Sequence, residues 1–275
     1  MKNISKIIIL IIISITFITC DSNNDEIENN TKTKFTPKQF EFIGLEHNEL
    51  LTQTYEFLNK NKKEMRNKTG KQNKIVLENF LINKIASNKK YSNESNEIGI
   101  KKIKEQFRTS NSFPKMNFSK NKSTLNLSEK EIYYLDLLKT ILVNIDPLQL
   151  TIENEISSLE KTIQEDTLLN NKQLYILYSA TQTAKFSYSY WSENKDLWIT
   201  LSSDLNKDSC PDCWTNAGIV ATADVAGAVG GAVTAAIVNV MPGPGQVAYA
   251  GAIVGAGVGA SVSAGVVLFI NWLWS

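Results

Sequence analysis

From Cys210 to Ser275 the chain contains no Lys or Arg and only two acids, Asp212 and Asp224. An uncharged stretch of this length cannot build a solvated surface; as helix it must lie inside protein or inside lipid. Two Gly/Ala/Val-rich segments, Ala217 to Val240 and Val247 to Ile270, are each long enough to cross a hydrocarbon core, which takes about 20 helical residues. Between them Met241-Pro242-Gly243-Pro244-Gly245 cannot continue a helix and turns the chain back. The prediction is an antiparallel helical hairpin. Its open end gathers Trp214, Trp272 and Trp274, the arrangement of an interfacial aromatic belt.

Gly251, Gly255 and Gly259 are spaced by four, with Ser263 continuing the row, and Gly227 and Gly231 repeat the spacing on the first arm. Residues four apart share a helix face, and Gly there lets a second backbone approach, as small-xxx-small motifs do in lipid. Gly costs a helix roughly 1 kcal/mol relative to Ala, so such rows make sense only where close contact offsets the loss. The contact is either between the two arms or with another copy of the chain. Asp224 breaks the apolar pattern of the first arm; a carboxylate there needs a polar partner, a wet lumen, or a span that begins after it.

The hairpin opens on Cys210-Pro211-Asp212-Cys213-Trp214. In an exported protein this pair is a disulfide candidate. Redox catalysis by such a motif needs the first thiol at a helix N-terminus after a β-strand, and no strand pattern precedes it. Trp214 stands where a haem-attachment motif needs His, and two cysteines alone do not complete a zinc site.

The third cysteine, Cys20, closes a leader. Lys2 and Lys6 form a positive n-region, and Ile7 to Ile18 is an apolar run too short for an ordinary membrane span, as in a secretory signal. Phe17-Ile18-Thr19-Cys20 resembles the lipobox of bacterial lipoproteins, although Phe17 and Thr19 stand where Leu and Gly or Ala are usual. That resemblance implies that residues 1–20 are a lipoprotein signal peptide and that Cys20 carries the lipid. Residues 21–34 are polar and acidic, too poor in apolar surface to fold, and read as a flexible tether. Asp25, Glu26 and Glu28 resemble the surface-export signal of Bacteroidetes lipoproteins, whereas Asp21 directly after the cysteine resembles an inner-membrane retention signal of other lineages. The leaflet is left open.

The formal net charge of +1 leaves no electrostatic footprint for nucleic acid. Residues 35–209 carry apolar residues mostly at helical spacing, which predicts a mainly α protein: a helical-bundle body followed, over 210–275, by the Gly/Ala-rich antiparallel hairpin. A first helix starts at Thr36-Pro37 and is expected to end before the charged run from Asn59 to Lys68. Further helices are expected around Ile75 to Ile85, Ile98 to Phe107, Leu148 to Ile163 and Leu168 to Tyr190. Ser128-Glu129-Lys130-Glu131 fits a capping box, and the helix it opens stops at Asp146-Pro147.

Little in the body suggests chemistry. His47 is the single histidine, so a metal site has no second imidazole to use, and a structural or exposed role is expected. Tyr188, Tyr190, Trp191 and Trp198 form a cluster suited to core packing or to docking against the tail, with a sugar or peptide face as the other reading. No nucleophile, base and orienting group fall together, so no catalytic residue, metal or cofactor is assigned.

The tail resembles Gly/Ala-rich helical bacteriocins and glycine-zipper proteins. With the lipoprotein leader, Gly44-Leu45-Glu46-His47-Asn48, Tyr190-Trp191 and Ala223-Asp224-Val225-Ala226-Gly227-Ala228, the whole resembles Bacteroidetes proteins of a bacteriocin-like, fulvocin-related kind. The resemblance implies membrane activity. The expected function is therefore that of a non-enzymatic, lipid-anchored envelope protein at the outer membrane, facing the periplasm or the surface. Its hairpin inserts in or associates with a lipid membrane and can form a homo-oligomer. Two other readings stand beside it: a membrane-permeabilising toxin, and a soluble helical binding module with the hairpin as its buried core.

Overall fold

A computed structural model describes residues 35–90, 93–109, 118, 125–144, 152–205, 217–237 and 251–273. Among them the secondary structure is helical throughout, with no strand: mainly α, as the spacing predicts. A short 3-10 turn, Pro37–Phe40, leads into α1 (Glu41–Arg66), followed by α2 (Gly70–Ser87), α3 (Asn93–Thr109), α4 (Glu129–Asn144), α5 (Ile152–Glu165) and α6 (Asn171–Leu205). The hairpin arms are α7 (Ala217–Ile237) and α8 (Gly251–Leu273).

Polar side chains close the helix N-termini. The Thr69, Ser128 and Asn170 backbone amides donate to Gln72, Glu131 and Gln173 at 2.9, 2.7 and 2.9 Å, and each capping side chain accepts in return from the third helical N–H. These reciprocal pairs use donors that a first turn otherwise leaves open. Gln173 also donates to the Ser128 hydroxyl at 2.9 Å, tying the starts of α4 and α6 together.

Two helices run further than expected. The charged stretch after Asn59 does not end α1, which continues to Arg66. Leu58 and Met65, two turns apart, are both buried, so the charges are merely the outer face of the same helix. Lys62 pairs with Asp204 at 2.7 Å, and Arg66 also reaches Asp204, fastening the end of α1 to the end of α6. Likewise α6 passes Tyr190, because Trp198, Leu201 and Leu205 extend its buried face to Leu205.

Within the compact unit Lys34–Ser275 the apolar hairpin is packed among the helices of the body. α7 lies against α8, α6, α4 and α3, while α8 lies against α7, α3, α1 and α2. Every residue from 255 to 270 is buried, and on α7 only Ile219 and the stripe Ala226, Gly230, Thr234 show appreciable surface between 219 and 236. The arms are antiparallel: Asp224 meets Gly265, Gly227 meets Ala260, and Gly231 meets Ala256. Lys34–Ser275 forms one compact unit. Ile219–Ala236 is long and apolar enough to cross a membrane, and here 78% of it is buried by protein.

Candidate functional site

Asp224 is the only ionisable residue on the described part of the hairpin, and it is fully buried. Its Oδ2 collects three groups from the body. The Ser187 hydroxyl donates at 2.6 Å and the Trp191 indole N–H at 2.9 Å, both from α6, and His47 Nε2 of α1 lies 3.2 Å away. The His47 approach is off the line of a hydrogen bond, so this third contact is an electrostatic pairing rather than a directed bond. Oδ1 makes no hydrogen bond and rests on Gly265, where any side chain would collide with the carboxylate.

The sequence brings these groups together by helical spacing and by one small residue. Ser187 and Trp191 are four apart on α6 and therefore share the face turned to α7. Gly44 sits where a Cβ would come 2.8 Å from the Phe186 Cβ, so α1 approaches α6 closely enough to place His47, one turn later, over Asp224. Asn48 holds the approach by donating to the Phe186 carbonyl at 3.0 Å. That bond fixes the Asn48 amide, leaving its Oδ1 to accept from His47 Nδ1–H at 2.9 Å.

Ser, His and Asp in one cluster invite comparison with a hydrolytic triad, and the geometry is different. The Ser187 hydroxyl is bound to the carboxylate rather than to the imidazole, so the serine–histidine contact of a triad is not made. His47, Ser187 and Asp224 are each 0% exposed, which leaves no route for a substrate. The arrangement can hold the hairpin in its sheath.

Around the carboxylate the aromatic cluster of α6 packs inward. Trp191 and Trp198 lie 5.0 Å apart, and Trp198 meets Tyr55 of α1 at 5.6 Å and Phe269 of α8 at 4.9 Å. Trp198 donates to the Tyr190 hydroxyl at 3.2 Å. These rings join α1, α6 and the second arm, and both indoles are buried away from any sugar or peptide outside.

The glycine rows have separate partners. Gly227 and Gly231 face the second arm, where a Cβ on either would lie 2.7 Å from the carbonyl carbons of Ala260 and Ala256. Gly255 and Gly259 instead meet Gly99 of α3, where a Cβ on Gly99 would lie 2.7 Å from the Gly255 carbonyl carbon. Beside this crossing the Ser95 hydroxyl accepts from the Ala256 N–H at 3.3 Å. The two rows are therefore not opposed to each other; one closes the hairpin and the other receives a helix of the body.

Of the remaining residues singled out by sequence, Cys20, Cys210, Cys213, Trp214 and Trp274 lie outside the described residues, as do the side chain of Trp272 and the surroundings of Gly251. His47, Ser187 and Gly99 were not recognisable as partners of the tail, because nothing local links them to it. Among the described residues no group of three His, Cys, Asp or Glu converges as a metal site. Comparison with known proteins finds no matching family, no curated relative and no solved structure of similar fold.

Proposed function

We propose that this chain is a non-enzymatic, lipid-anchored protein of the cell envelope that carries its glycine-zipper hairpin as the core of a helical domain and gives it to a membrane only on leaving that sheath. The observation behind this reading is Asp224. Sheathed, the carboxylate has Ser187, Trp191 and His47; in a hydrocarbon core it would lose all three, at a cost of about 2.5–3.5 kcal/mol or more. The sheathed form is therefore the resting form.

Self-association belongs to the released hairpin in this reading. Gly227 and Gly231 are occupied by α8, and Gly255 and Gly259 by α3, so neither row is free to meet another copy at rest. Alkaline carbonate extraction after enzymatic removal of the lipid anchor tests the resting state. Release into the soluble fraction is expected; retention in the membrane pellet would sink it.

A membrane-permeabilising toxin is the second reading, favoured by one feature: two apolar helices are held by a body whose single charged link to them, among the described residues, is the Asp224 cluster. Release of a trapped dye from phospholipid vesicles by the full chain would favour the toxin, and intact vesicles would favour a purely structural role for the hairpin.

A further inference from the structure

Away from the hairpin, a cleft of about 610 Å³ opens between α5 and α6 beneath the N-terminal 3-10 turn. Its size falls within the usual range of small-molecule sites, about 300–1,000 Å³. One wall is a polar stripe of α5, Glu153, Ser157, Glu160 and Gln164, set beside the buried apolar row of Ile152, Ile156, Leu159 and Ile163. The facing wall is the Gln182, Lys185, Phe186 and Ser189 stripe of α6.

The floor is built rather than incidental. Glu160 is 4% exposed and accepts from Gln182 Nε2 at 2.7 Å and from Lys185 Nζ at 2.5 Å. Buried ion pairs seldom stabilise a fold more than an apolar replacement would, so a pair with an amide at the bottom of a cleft has to be explained by something besides stability. One turn earlier on α6 the Tyr178 hydroxyl is buried without a partner, and burial first, then the Glu160 charge, push its pKa up, so it stays a neutral hydroxyl. At the rim, Lys38, Glu41, Glu153, Ser157 and Gln164 hold no partner among the described residues.

The chemistry of the lining restricts what fits. Three carboxylates, Glu41, Glu153 and Glu160, oppose an anion, while Lys38 and Lys185 oppose a simple cation. A ligand without net charge remains. It must both donate to carboxylates and accept from ammonium and amide groups, which hydroxyls do. The Phe186 ring adds one apolar surface to an otherwise polar wall. A pyranose ring presents hydroxyls around its edge and C–H groups on its face, which matches both. We propose that this cleft binds a saccharide, its hydroxyls bridging the Glu160–Lys185–Gln182 floor and the rim, with one sugar face on Phe186.

The test is saturation-transfer NMR and calorimetry on the full chain in mild detergent, using oligomers of neutral hexoses and of N-acetylglucosamine as probes, with spermidine and inorganic phosphate as cation and anion controls. Ser157→Trp fills the cleft from an exposed position, and Glu153→Ala removes a rim acceptor; neither touches the core. Saturable binding of at least one saccharide is expected, weakened about tenfold or more by Ser157→Trp and less by Glu153→Ala, with the helical circular dichroism unchanged. No saccharide binding at millimolar concentration, binding indifferent to Ser157→Trp, or tighter binding of spermidine or phosphate would each overturn the proposal. None of these outcomes depends on whether the hairpin enters a membrane.

Discussion

His47 of α1 and Asp224 of α7 approach to 3.2 Å with neither side chain exposed, although 176 residues lie between them in the sequence. Their pairing joins the first helix of the body to the first arm of the hairpin, and Ser187 and Trp191 bring α6 to the same oxygen. Asp224→Ala removes the acceptor while leaving an imidazole, a hydroxyl and an indole N–H buried without it. The expected loss is about 3–5 kcal/mol, the range for breaking a buried charged pair from one side. Asp224→Asn keeps an oxygen for Ser187 and Trp191 and should lose less. Chemical denaturation of the full chain measures both, and equal stabilities for wild type and Asp224→Ala would remove the cluster from the account of what holds the hairpin.

Neighbouring glycines of α7 should respond with opposite sign. A Cβ on Gly231 would press on the backbone of Ala256 and Gly257, so Gly231→Ala must part the two arms, at about 1–3 kcal/mol. Gly230, one residue earlier, has no atom within 4 Å of the position a Cβ would take. There Ala costs nothing in space and gains the helix preference, about 0.5–1 kcal/mol of stabilisation. Thermal unfolding of the two variants side by side checks this, and a matching loss in both would mean that the arms are not held by close backbone contact at Gly231.

The contact between Gly99 and the Gly255–Gly259 row predicts a more local effect. Gly99→Ala would place a Cβ against the Gly255 carbonyl and lift α3 from α8. Hydrogen exchange should rise over 93–109 and the start of α8 while the paired ends of α1 and α6, fastened through Lys62 and Asp204, remain protected. Uniform loss of protection throughout would show that α3 is not a separately opening element.

The helices were legible because their signals are local. The Ser128–Glu131 box can be read from four consecutive residues, and the periodicity of Leu135, Leu138 and Leu142 from one face. The hairpin was legible for the same reason: absence of charge, two segments of matched length and a Pro/Gly break need no knowledge of the rest of the chain. What covers the hairpin was not legible. An uncharged helix has the same composition whether lipid or protein surrounds it, and the deciding contacts, Asp224 with His47 and Gly255 with Gly99, join residues more than a hundred positions apart. Gly99 is the single glycine of α3, between Ile98 and Ile100, and no row marks it as the counterpart of a row elsewhere.

Alkaline pH offers a probe of the body that leaves the hairpin sequence untouched. Burial pushes Tyr134 up to about 12, helped by the hydrogen bond its hydroxyl donates to Asp166 at 3.0 Å, and burial pushes Tyr190 to about 12 as well. Asp166 is itself held below the ordinary carboxylate range, first by the Lys130 ammonium and then by the Leu168 backbone N–H and Tyr134, so it is charged throughout this window. For a group whose folded value is raised, the stabilisation is complete below the unfolded value, about 10 for tyrosine, and is lost as pH rises through the folded value. Stability should therefore be level up to about pH 10 and then fall by about 1.4 kcal/mol per pH unit for each such tyrosine up to about 12. Tyr175 and Tyr178, driven higher still chiefly by burial, add to the slope. Tyr134→Phe should cost about 1 kcal/mol near neutrality, through the lost bond to Asp166, and make the alkaline slope shallower by one group's share. Denaturation midpoints followed together with phenolate absorbance check both expectations; phenolate appearing near pH 10 while the helices stay folded would show that these hydroxyls are open to water.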